Sequence, residues 1–313
     1  PSMLSLDGIA HQRHRQPFVD PFRSAEVRVR FSDWTRDRAG ELVREIPPLG
    51  SGDLRGGIAA PLSVIVMARV LDIVGVGVTE LLGWYEAIDA SVPDVTAGGD
   101  VPEAGRAAFQ SLHTAVTANM VDSALLASVH AGRSLSIDEI VSNVAVLLFG
   151  GIVTSESTTA TVLQHLLRHP EALRDVREDR SLVASAVEEA MRLEPAAAVV
   201  DRYATRPVEL SGASIGRGDL VRVSLAAANR DPAMFVDPNR FDVHRDNAQQ
   251  HLAFARGPHA CLGIHLARVE ARAAVDAVLD QLHDLQPDPF PVQETDGLIF
   301  RAPPTVHVRW AVR

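Results

Sequence analysis

The spacing of apolar residues changes along the chain, from a helical period over most of its length to a strand-like alternation near residue 200. From residue 5 to about residue 200 apolar positions recur with the period of an α-helix. The longest predicted helix covers 136–168. Ser136 is its candidate N-cap, Glu139 completes a capping-box pattern, and Pro170 stops the run. This half of the pattern predicts a helical protein.

The pattern after this helix predicts a minor sheet. A further helix is expected at 179–193, and short alternating segments separated by glycine turns follow at 200–225. Residues 229–260 have the composition of a long ordered coil, and a last long helix begins shortly after Cys261. The end of the chain, 293–313, predicts a hairpin. We therefore expect a mainly α protein with a minor β-sheet, in one domain.

Composition excludes several classes of function. The chain is 46% hydrophobic and 22% charged, as is typical of a globular protein. Its single cysteine excludes an internal disulfide and favours a reducing, cytoplasmic location. The net charge of −10 argues against nucleic-acid binding. The most apolar runs, 58–68 and 144–153, are shorter than the roughly 20 residues of a membrane helix, so no membrane partner is expected.

The single cysteine, Cys261, lies in the turn FARGPHACLG at 254–263. Three interpretations are open from these residues. A lone cysteine is most often a buried structural thiol. His251, His259 and His265 are close enough in sequence for a metal clip, although the spacing is unlike common zinc sites. A thiolate ligand to haem iron is the third, because a helix N-terminus favours the anion and glycines let the backbone approach a flat ring.

The turn resembles the haem-binding loop of cytochromes P-450, F-G-x-G-x-H-x-C-x-G, with Ala255 in place of the first glycine. The resemblance extends over nearly the whole chain. It implies the P-450 fold without its first helices and strands, in a single haem-thiolate domain over 1–313. It also implies that the cofactor is haem b, iron protoporphyrin IX, with Cys261 as the axial iron ligand and Phe254 and Gly263 beside the ring.

Glu189 and Arg192 face the same side of a predicted helix. Taken alone, they are a solvated surface pair worth a few tenths of a kcal/mol. Within the resemblance they match the family's E-x-x-R, and Arg240 matches the arginine of the coil that follows. The implied role is structural: a buried Glu–Arg–Arg cluster that fixes the coil before Cys261.

The resemblance also implies anchors for the two haem propionates. His11 and Arg15, one helical turn apart, match H-x-x-x-R, while Arg202 and His259 match the strand and loop positions. Arginine and histidine are suitable donors to carboxylates in a site of low dielectric. Each alone could be a surface cation. Other histidines without a matched role are expected at the surface: His14, His130, His169 and His283.

The segment LLFGGIVTSESTT matches the family's central helix where it crosses the distal haem face. Gly150 and Gly151 are expected to leave room for dioxygen, and Thr154 to relay protons during dioxygen scission. Alternatively, Thr154 only back-bonds to a helix carbonyl. Val153 stands where the family has an acid. Glu156 lies two residues beyond Thr154, about 200° from it round the helix, and could help only through water or local distortion. We therefore expect slower or leakier oxygen activation, or a proton path through substrate or water.

Small aliphatic residues at 195–200, with Leu298 and Ile299, are expected to line an apolar pocket. Such a pocket favours a small lipophilic substrate that is bulky and secondary-metabolite-like: a polyketide, macrolide, terpenoid or steroid. Ordinary core packing is the alternative for each residue. The family's first helices and strands are missing from the chain, and they carry much of the usual specificity surface. We expect that the chain lacks a natural N-terminal portion.

The sequence has no flavin, iron–sulfur or dinucleotide motif, so electrons from NAD(P)H are expected through a ferredoxin or flavodoxin. The candidate docking face is basic and comprises Arg13, Arg245, Arg256 and Arg268. The leading hypothesis is a haem-thiolate monooxygenase. Its rivals are a non-catalytic haem-binding or auxiliary partner protein of the same fold, favoured by Val153, and a zinc-stabilised structural protein.

Overall fold

The structure, a computed structural model, describes residues 1–73, 75–96, 99–288 and 294–312. Most of these residues are helical, which confirms the predicted fold class. The helices are α1 Gly8–Arg15, α2 Ser24–Glu45, α3 Ala60–Leu71, α4 Val78–Thr96, α5 Glu103–Ala118, α6 Ala124–Ala131, α7 Ile137–Arg168, α8 Pro170–Glu178, α9 Leu182–Leu193, α10 Leu225–Ala228 and α11 Ile264–Gln281. Shorter helical turns occur at Gln16–Phe18, Asp20–Phe22, Arg55–Ala59 and Ala248–Gln250.

The predicted capping box starts helix α7. The Ser136 amide donates to Glu139 Oε2 at 2.9 Å, and the Glu139 amide donates to Ser136 Oγ at 3.2 Å. Both orphan donors of the first turn are therefore satisfied by side chains. The helix ends at Arg168, before Pro170, as the sequence predicts.

Helix α7 is long and apolar enough to cross a membrane, by length and composition only. The sequence prediction considered only its most apolar run, which is shorter than the helix. Core helices of globular proteins have the same length and composition, and one such helix is weak evidence for a span. Several polar side chains of α7 are buried, among them Asn143, Ser157 and Thr161.

The chain divides into two compact units. The first comprises Pro1–Glu45, Gly56–Glu156 and Leu262–Ala274 and is helical apart from its connections. Its core contains fully buried aliphatic side chains such as Val66 and Val144. Helix α7 therefore contributes its first twenty residues to this unit.

The second unit comprises Ile46–Arg55, Ser157–Cys261 and Val275–Arg313. It holds the strands of the described residues: β1 Ser51–Asp53, β2 Val199–Tyr203, β3 Val208–Leu210, β4 Ala213–Ile215, β5 Leu220–Ser224, β6 His283–Pro287 and β7 His307–Ala311. They form an antiparallel sheet of order β1-β7-β6 and the pairs β2-β5 and β3-β4. The pairs confirm the sheet predicted at 200–225.

The hairpin predicted at 293–313 forms only at its tip in the described residues of that segment, and residues 293 and 313 lie outside them. Only an isolated bridge joins Asp296 to Ala302. Strand β7 pairs instead with β1 and β6. Pro303 and Pro304 follow the bridge and have no amide hydrogen to extend a ladder.

Candidate functional site

Cys261 lies exposed on a tight turn and forms no disulfide. Its amide donates to the Phe254 carbonyl at 2.9 Å, which closes the turn. Inside it, Ala255 and Gly257 have φ of 52° and 80°. Glycine adopts a positive φ easily, whereas alanine is strained there. Ala255 therefore keeps the left-handed backbone conformation of the glycine that the family motif has at this position. An exposed thiol on such a turn argues against the buried structural interpretation.

The metal-clip interpretation finds no support in the part of the chain that the structure describes. There, no group of three or more His, Cys, Asp or Glu side chains could hold a metal ion. His251 instead directs Nε2 to Glu188 Oε2, at 3.2 Å, and accepts the Ala253 amide hydrogen at Nδ1. It is therefore not part of a ligand set with Cys261.

The turn fits a haem by its donor and its shape. The thiol is accessible, and a Cβ added at Gly257 would meet no other atom within 4 Å. The backbone there is open to close approach by a flat ring. The other residues of the turn that have an implied role at the haem are Phe254, His259 and Gly263, and each is half-buried.

The Glu–Arg–Arg cluster forms with a different third member from the one predicted. Arg192 makes a bidentate pair with Glu189 at 2.7 and 2.8 Å, and both side chains are fully buried. The second guanidinium belongs to Arg245, whose Nε lies 2.9 Å from Glu189 Oε1. The prediction for Arg240 is wrong: its side chain is exposed, and only its carbonyl accepts from Arg192 and Arg245, at 3.2 Å each.

Arg192 also holds the coil that leads to the cysteine. Its Nη1 donates to the carbonyls of Asn229 and Pro238, both at 2.8 Å, and its guanidinium stacks 5.0 Å from the Phe235 ring. A buried cation surrounded by acceptors on separate turns fixes those turns relative to helix α9. The structural role predicted for Arg192 thus has a geometric basis.

The four predicted propionate anchors differ in their exposure. His11 is buried and Arg15 half-buried on α1. Arg202 is exposed on β2, where its Nη1 donates to the Asp201 carbonyl at 2.8 Å. His259 is half-buried. The assignment of these four residues to propionates stays a prediction.

His14 is not at the surface, contrary to the prediction. Its side chain is fully buried, with Nδ1 3.0 Å from Asn143 Nδ2 and Nε2 3.2 Å from Glu139 Oε1. Arg13 binds the same carboxylate, and this hydrogen bond lowers the pKa of Glu139 to about 2. Of the other unmatched histidines, His130 is exposed, and His169 and His283 are half-buried.

The two glycines of α7 differ in their surroundings. A Cβ at Gly150 would meet no other atom within 4 Å, so this position leaves open space. A Cβ at Gly151 would overlap Sδ of Met67, on α3. The expectation that Gly151 leaves room for dioxygen is therefore wrong, because a methionine fills that room. Thr154 Oγ1 donates to the Gly150 carbonyl, the back-bond considered above.

No carboxylate stands at Val153, and Glu156 lies beside α4. Burial first, then the Asp89 and Glu156 carboxylates, raise the pKa of Tyr85 on α4. Sequence reasoning missed a different acid, Glu270 of α11, which is 1% exposed. Burial raises its pKa well above the usual range, against a hydrogen bond from Ser155. The sequence did contain a signal for this burial: Glu270 lies four residues from both Leu266 and Ala274, and residues four apart share one face of a helix.

The segments predicted to line the pocket lie side by side in the second unit. The Ala198 amide donates to the Ile299 carbonyl at 2.8 Å, and the Arg301 amide donates to the Ala196 carbonyl at 2.9 Å. Leu298 is 69% exposed at the tip of the turn. Small and aliphatic side chains from two distant parts of the sequence are thus brought together.

The chain is similar to cytochromes P-450 in sequence and in structure. The sequence profile of the cytochrome P-450 family matches residues 106–308. The cytochrome P-450 monooxygenase PikC of Streptomyces venezuelae is 33% identical in an alignment over 303 residues that covers 93% of this chain and 71% of that protein. The mycinamicin IV hydroxylase/epoxidase of Micromonospora griseorubida is 32% identical over 98% of this chain and 79% of its own length.

Solved structures agree with the sequence comparisons. The post-tailoring hydroxylase HmtN, involved in himastatin biosynthesis, superposes with a TM-score of 0.88 at 28% identity. The match covers 99% of this chain and 82% of that one. The fold, the family profile and these relatives lead to one conclusion: the chain belongs to the cytochrome P-450 family of haem-binding, actinobacterial-type monooxygenases.

Proposed function

We propose that this monooxygenase inserts one atom of dioxygen into a bulky, apolar, secondary-metabolite-like substrate, with residues 1–313 working as one haem-thiolate domain in the cytoplasm. The observation that carries the proposal is the exposed thiol of Cys261, the only cysteine of the chain, on a turn closed by its own amide. Haem supplies the oxygen chemistry when bound.

In this proposal Cys261 holds the iron through its sulfur, and Phe254 and Gly263 lie against the ring. His11, Arg15, Arg202 and His259 bind the propionates. The exposure of the Arg202 guanidinium and of the Cys261 thiol supports the assignment, since a ligand can reach both groups. Glu189, Arg192 and Arg245 keep the coil before the turn in place.

Thr154 has the role of a proton relay. Its hydroxyl donates to the Gly150 carbonyl, so the relay needs this hydrogen to turn away and be passed on while Oγ1 accepts another proton in its place. The side chain of Val153 has no proton to donate. The proton therefore reaches Oγ1 from water or from a substrate hydroxyl, and proton delivery is slower than with a neighbouring acid. Gly150 keeps the adjoining space open.

The segments proposed to line the substrate pocket carry small or aliphatic side chains. Main-chain hydrogen bonds join Ala198 to Ile299 and Ala196 to Arg301, and of these aliphatic side chains Ile299 is exposed while Ala196 and Ala198 are buried beside it. This favours lipophilic polyketides, macrolides, terpenoids or steroids. The relative named for mycinamicin IV makes mycinamicin IV the first compound to test.

Electrons come from NAD(P)H through a small acidic redox protein, a ferredoxin or flavodoxin. Of the four arginines expected at the docking face, Arg245 is occupied by Glu189 and Arg13 by Glu139. Arg256 is exposed and Arg268 half-buried. We therefore assign the docking role to Arg256, the exposed member of this pair.

The decisive experiment is the absorption spectrum of the reduced protein with carbon monoxide, compared with Cys261→Ser. The wild type is expected to show the family's long-wavelength band and to oxidise a lipophilic substrate when supplied with redox partners. The variant is expected to lose both. Survival of both in Cys261→Ser would refute the proposal. A normal band with no turnover over the substrate panel would favour the auxiliary, non-catalytic role to which Val153 points.

A further inference from the structure

Helix α9 carries a second buried glutamate, next to the one in the Glu–Arg–Arg cluster. Glu189 turns to Arg192 and Arg245, while Glu188 turns the other way, to His251. The side chains of Glu188 and His251 are 2% and 1% exposed. Two adjacent carboxylates therefore hold two different points of the coil that leads to the cysteine.

The hydrogen bonds of His251 fix its ring. Nδ1 accepts the Ala253 amide hydrogen at 3.1 Å, so this nitrogen carries no proton. Nε2 carries the proton of the neutral ring and donates to Glu188 Oε2 at 3.2 Å. Both ring nitrogens are engaged, one by the helix and one by the coil, and the imidazole connects the two.

The chain from His251 to Cys261 is tied at short intervals. The Leu252 amide donates to Asn229 Oδ1 at 2.6 Å, and the Ala255 amide donates to the Leu252 carbonyl at 2.8 Å. The His251 ring lies 5.8 Å from the Phe254 ring, and Phe254 is the residue whose carbonyl accepts the Cys261 amide. A displacement of His251 is therefore transmitted to the cysteine turn through Phe254.

We propose that the buried His251–Glu188 pair is a positioning device for Cys261: it fastens the root of the cysteine turn to helix α9 and so sets where the sulfur stands. His251 is a positioning residue, since it acts through Ala253 and Phe254 and is not itself a ligand. The inference rests on the proposed role of Cys261 as iron ligand. A pair that served global stability alone would leave the local opening of the turn unchanged.

Two substitutions separate the two hydrogen bonds. In His251→Asn, Oδ1 takes the place of Nδ1 and keeps an acceptor for the Ala253 amide, but the shorter side chain loses Glu188. In His251→Gln, the longer amide reaches Glu188 and loses Ala253. Glu188→Gln is the mildest variant, because it keeps an acceptor and removes only the charge. His244→Gln is the matched control: His244 also pairs with a carboxylate, Asp175 at 3.1 Å, but the pair is exposed.

The first measurement is hydrogen exchange of the Cys261 amide in the holoenzyme. Loss of one supporting hydrogen bond is expected to speed this exchange about fivefold in each His251 variant and less in Glu188→Gln. The control is expected to match the wild type. Unchanged exchange in both His251 variants, or the same increase in His244→Gln, would overturn the proposal.

The second measurement is the carbon monoxide band of the same proteins. Both His251 variants are expected to shift part of the long-wavelength band to the position of haem without a thiolate ligand, and His244→Gln to shift none. If neither His251 variant folds, Glu188→Gln carries both measurements. An unchanged band in variants with faster exchange would overturn the link to the sulfur. A wild type without the band would instead refute the proposed function, and amide exchange would still test the turn.

Discussion

Arg245 Nε lies 2.9 Å from Glu189 Oε1, and the carboxylate it binds is fully buried. The same guanidinium donates to the carbonyls of Val236, Asp237 and Arg240, so it joins helix α9 to the coil at several points. Arg192 donates to both oxygens of the same carboxylate. Removing Arg245 would remove one of the three hydrogen bonds that arginines donate to Glu189, and with it one of the connections between the coil and α9.

Arg245→Ala is therefore expected to lower the free energy of unfolding by about 3 kcal/mol, because a buried carboxylate loses one of its cations. Arg240→Ala is the matched control. It removes an exposed side chain and keeps the carbonyl that the cluster uses, so the expected change is within about 0.5 kcal/mol. The free energy of unfolding of each variant is measured by urea denaturation. Equal losses would contradict the assignment of Arg245 as the third member.

Gly150 and Gly151 are expected to respond in opposite ways to the same substitution. Gly150→Ala adds a methyl group to open space in a helix interior and should raise the free energy of unfolding by up to about 1 kcal/mol. Gly151→Ala drives the methyl group into Met67 and should lower it by about 1–3 kcal/mol. Thermal unfolding measures both.

The double substitution Gly151→Ala with Met67→Ala tests the cause of the second effect. Shortening Met67 makes room for the new methyl group, so the two costs should be less than additive. Full additivity would show that the Met67 contact is not the source of the loss. Gly150→Ala also places a methyl group where dioxygen is proposed to pass, and a slower turnover is expected despite the higher stability.

Ala255 holds the left-handed conformation that glycine adopts without strain. Ala255→Gly should raise the free energy of unfolding by about 0.5–1 kcal/mol, because relief of the strain exceeds the added entropy of the unfolded chain. Ala253→Gly is the matched control. Its φ is not positive, so only the entropic loss remains. A loss of equal size in both variants, measured by urea unfolding, would show that Ala255 is unstrained.

The parts of the fold that were predictable follow from local rules. The capping box of Ser136 and Glu139 depends on residues three apart, and the structure forms it as predicted. The turn of Cys261 was visible as a motif of ten residues. Glu189 and Arg192, one helical turn apart, form the expected pair.

The parts that were not predictable depend on the path of irregular chain or on distant contacts. Arg240 and Arg245 lie in the same coil, which has no period, and only its path shows which guanidinium turns inward. Gly151 is crowded by Met67, a residue 84 positions earlier, and no local pattern reports such a contact. His14 was assigned to the surface because its partner, Asn143, is equally remote in sequence.

His165 is expected to make the free energy of unfolding depend on pH in the acid range. Its ring stacks 4.8 Å from Phe241, and neither of its nitrogens has a hydrogen-bond partner among the described residues. Burial, followed by the nearby His169, lowers the pKa of His165 to about 3. The unfolded chain, with a histidine pKa of about 6.5, then binds more protons than the folded chain. The contribution of His165 to stability is therefore complete above pH 6.5 and is lost as the pH falls from there towards 3.

His165→Phe should remove this dependence and keep the stack on Phe241. We expect a flatter curve of unfolding free energy between pH 4 and about 6.5, and unchanged or higher stability at pH 7, because two unpaired polar atoms are no longer buried. Urea unfolding at several pH values measures it. The exposed His130, changed to Gln, should leave the curve as it is. An equally steep curve in His165→Phe would contradict a low pKa for this residue.

Val153→Asp tests how protons reach Thr154. A carboxylic acid beside Thr154 gives Oγ1 a donor that Val153 lacks, and general-acid assistance of this kind contributes about 10²–10⁴-fold in favourable sites. We expect a larger fraction of consumed NAD(P)H to appear as oxidised substrate, with little change in substrate affinity. Val153→Asn is the matched control, since it has the same shape without an acidic proton. Product formed per NAD(P)H oxidised is the measurement. Coupling that stays the same in Val153→Asp, or rises equally in Val153→Asn, would mean that the missing acid does not limit this enzyme.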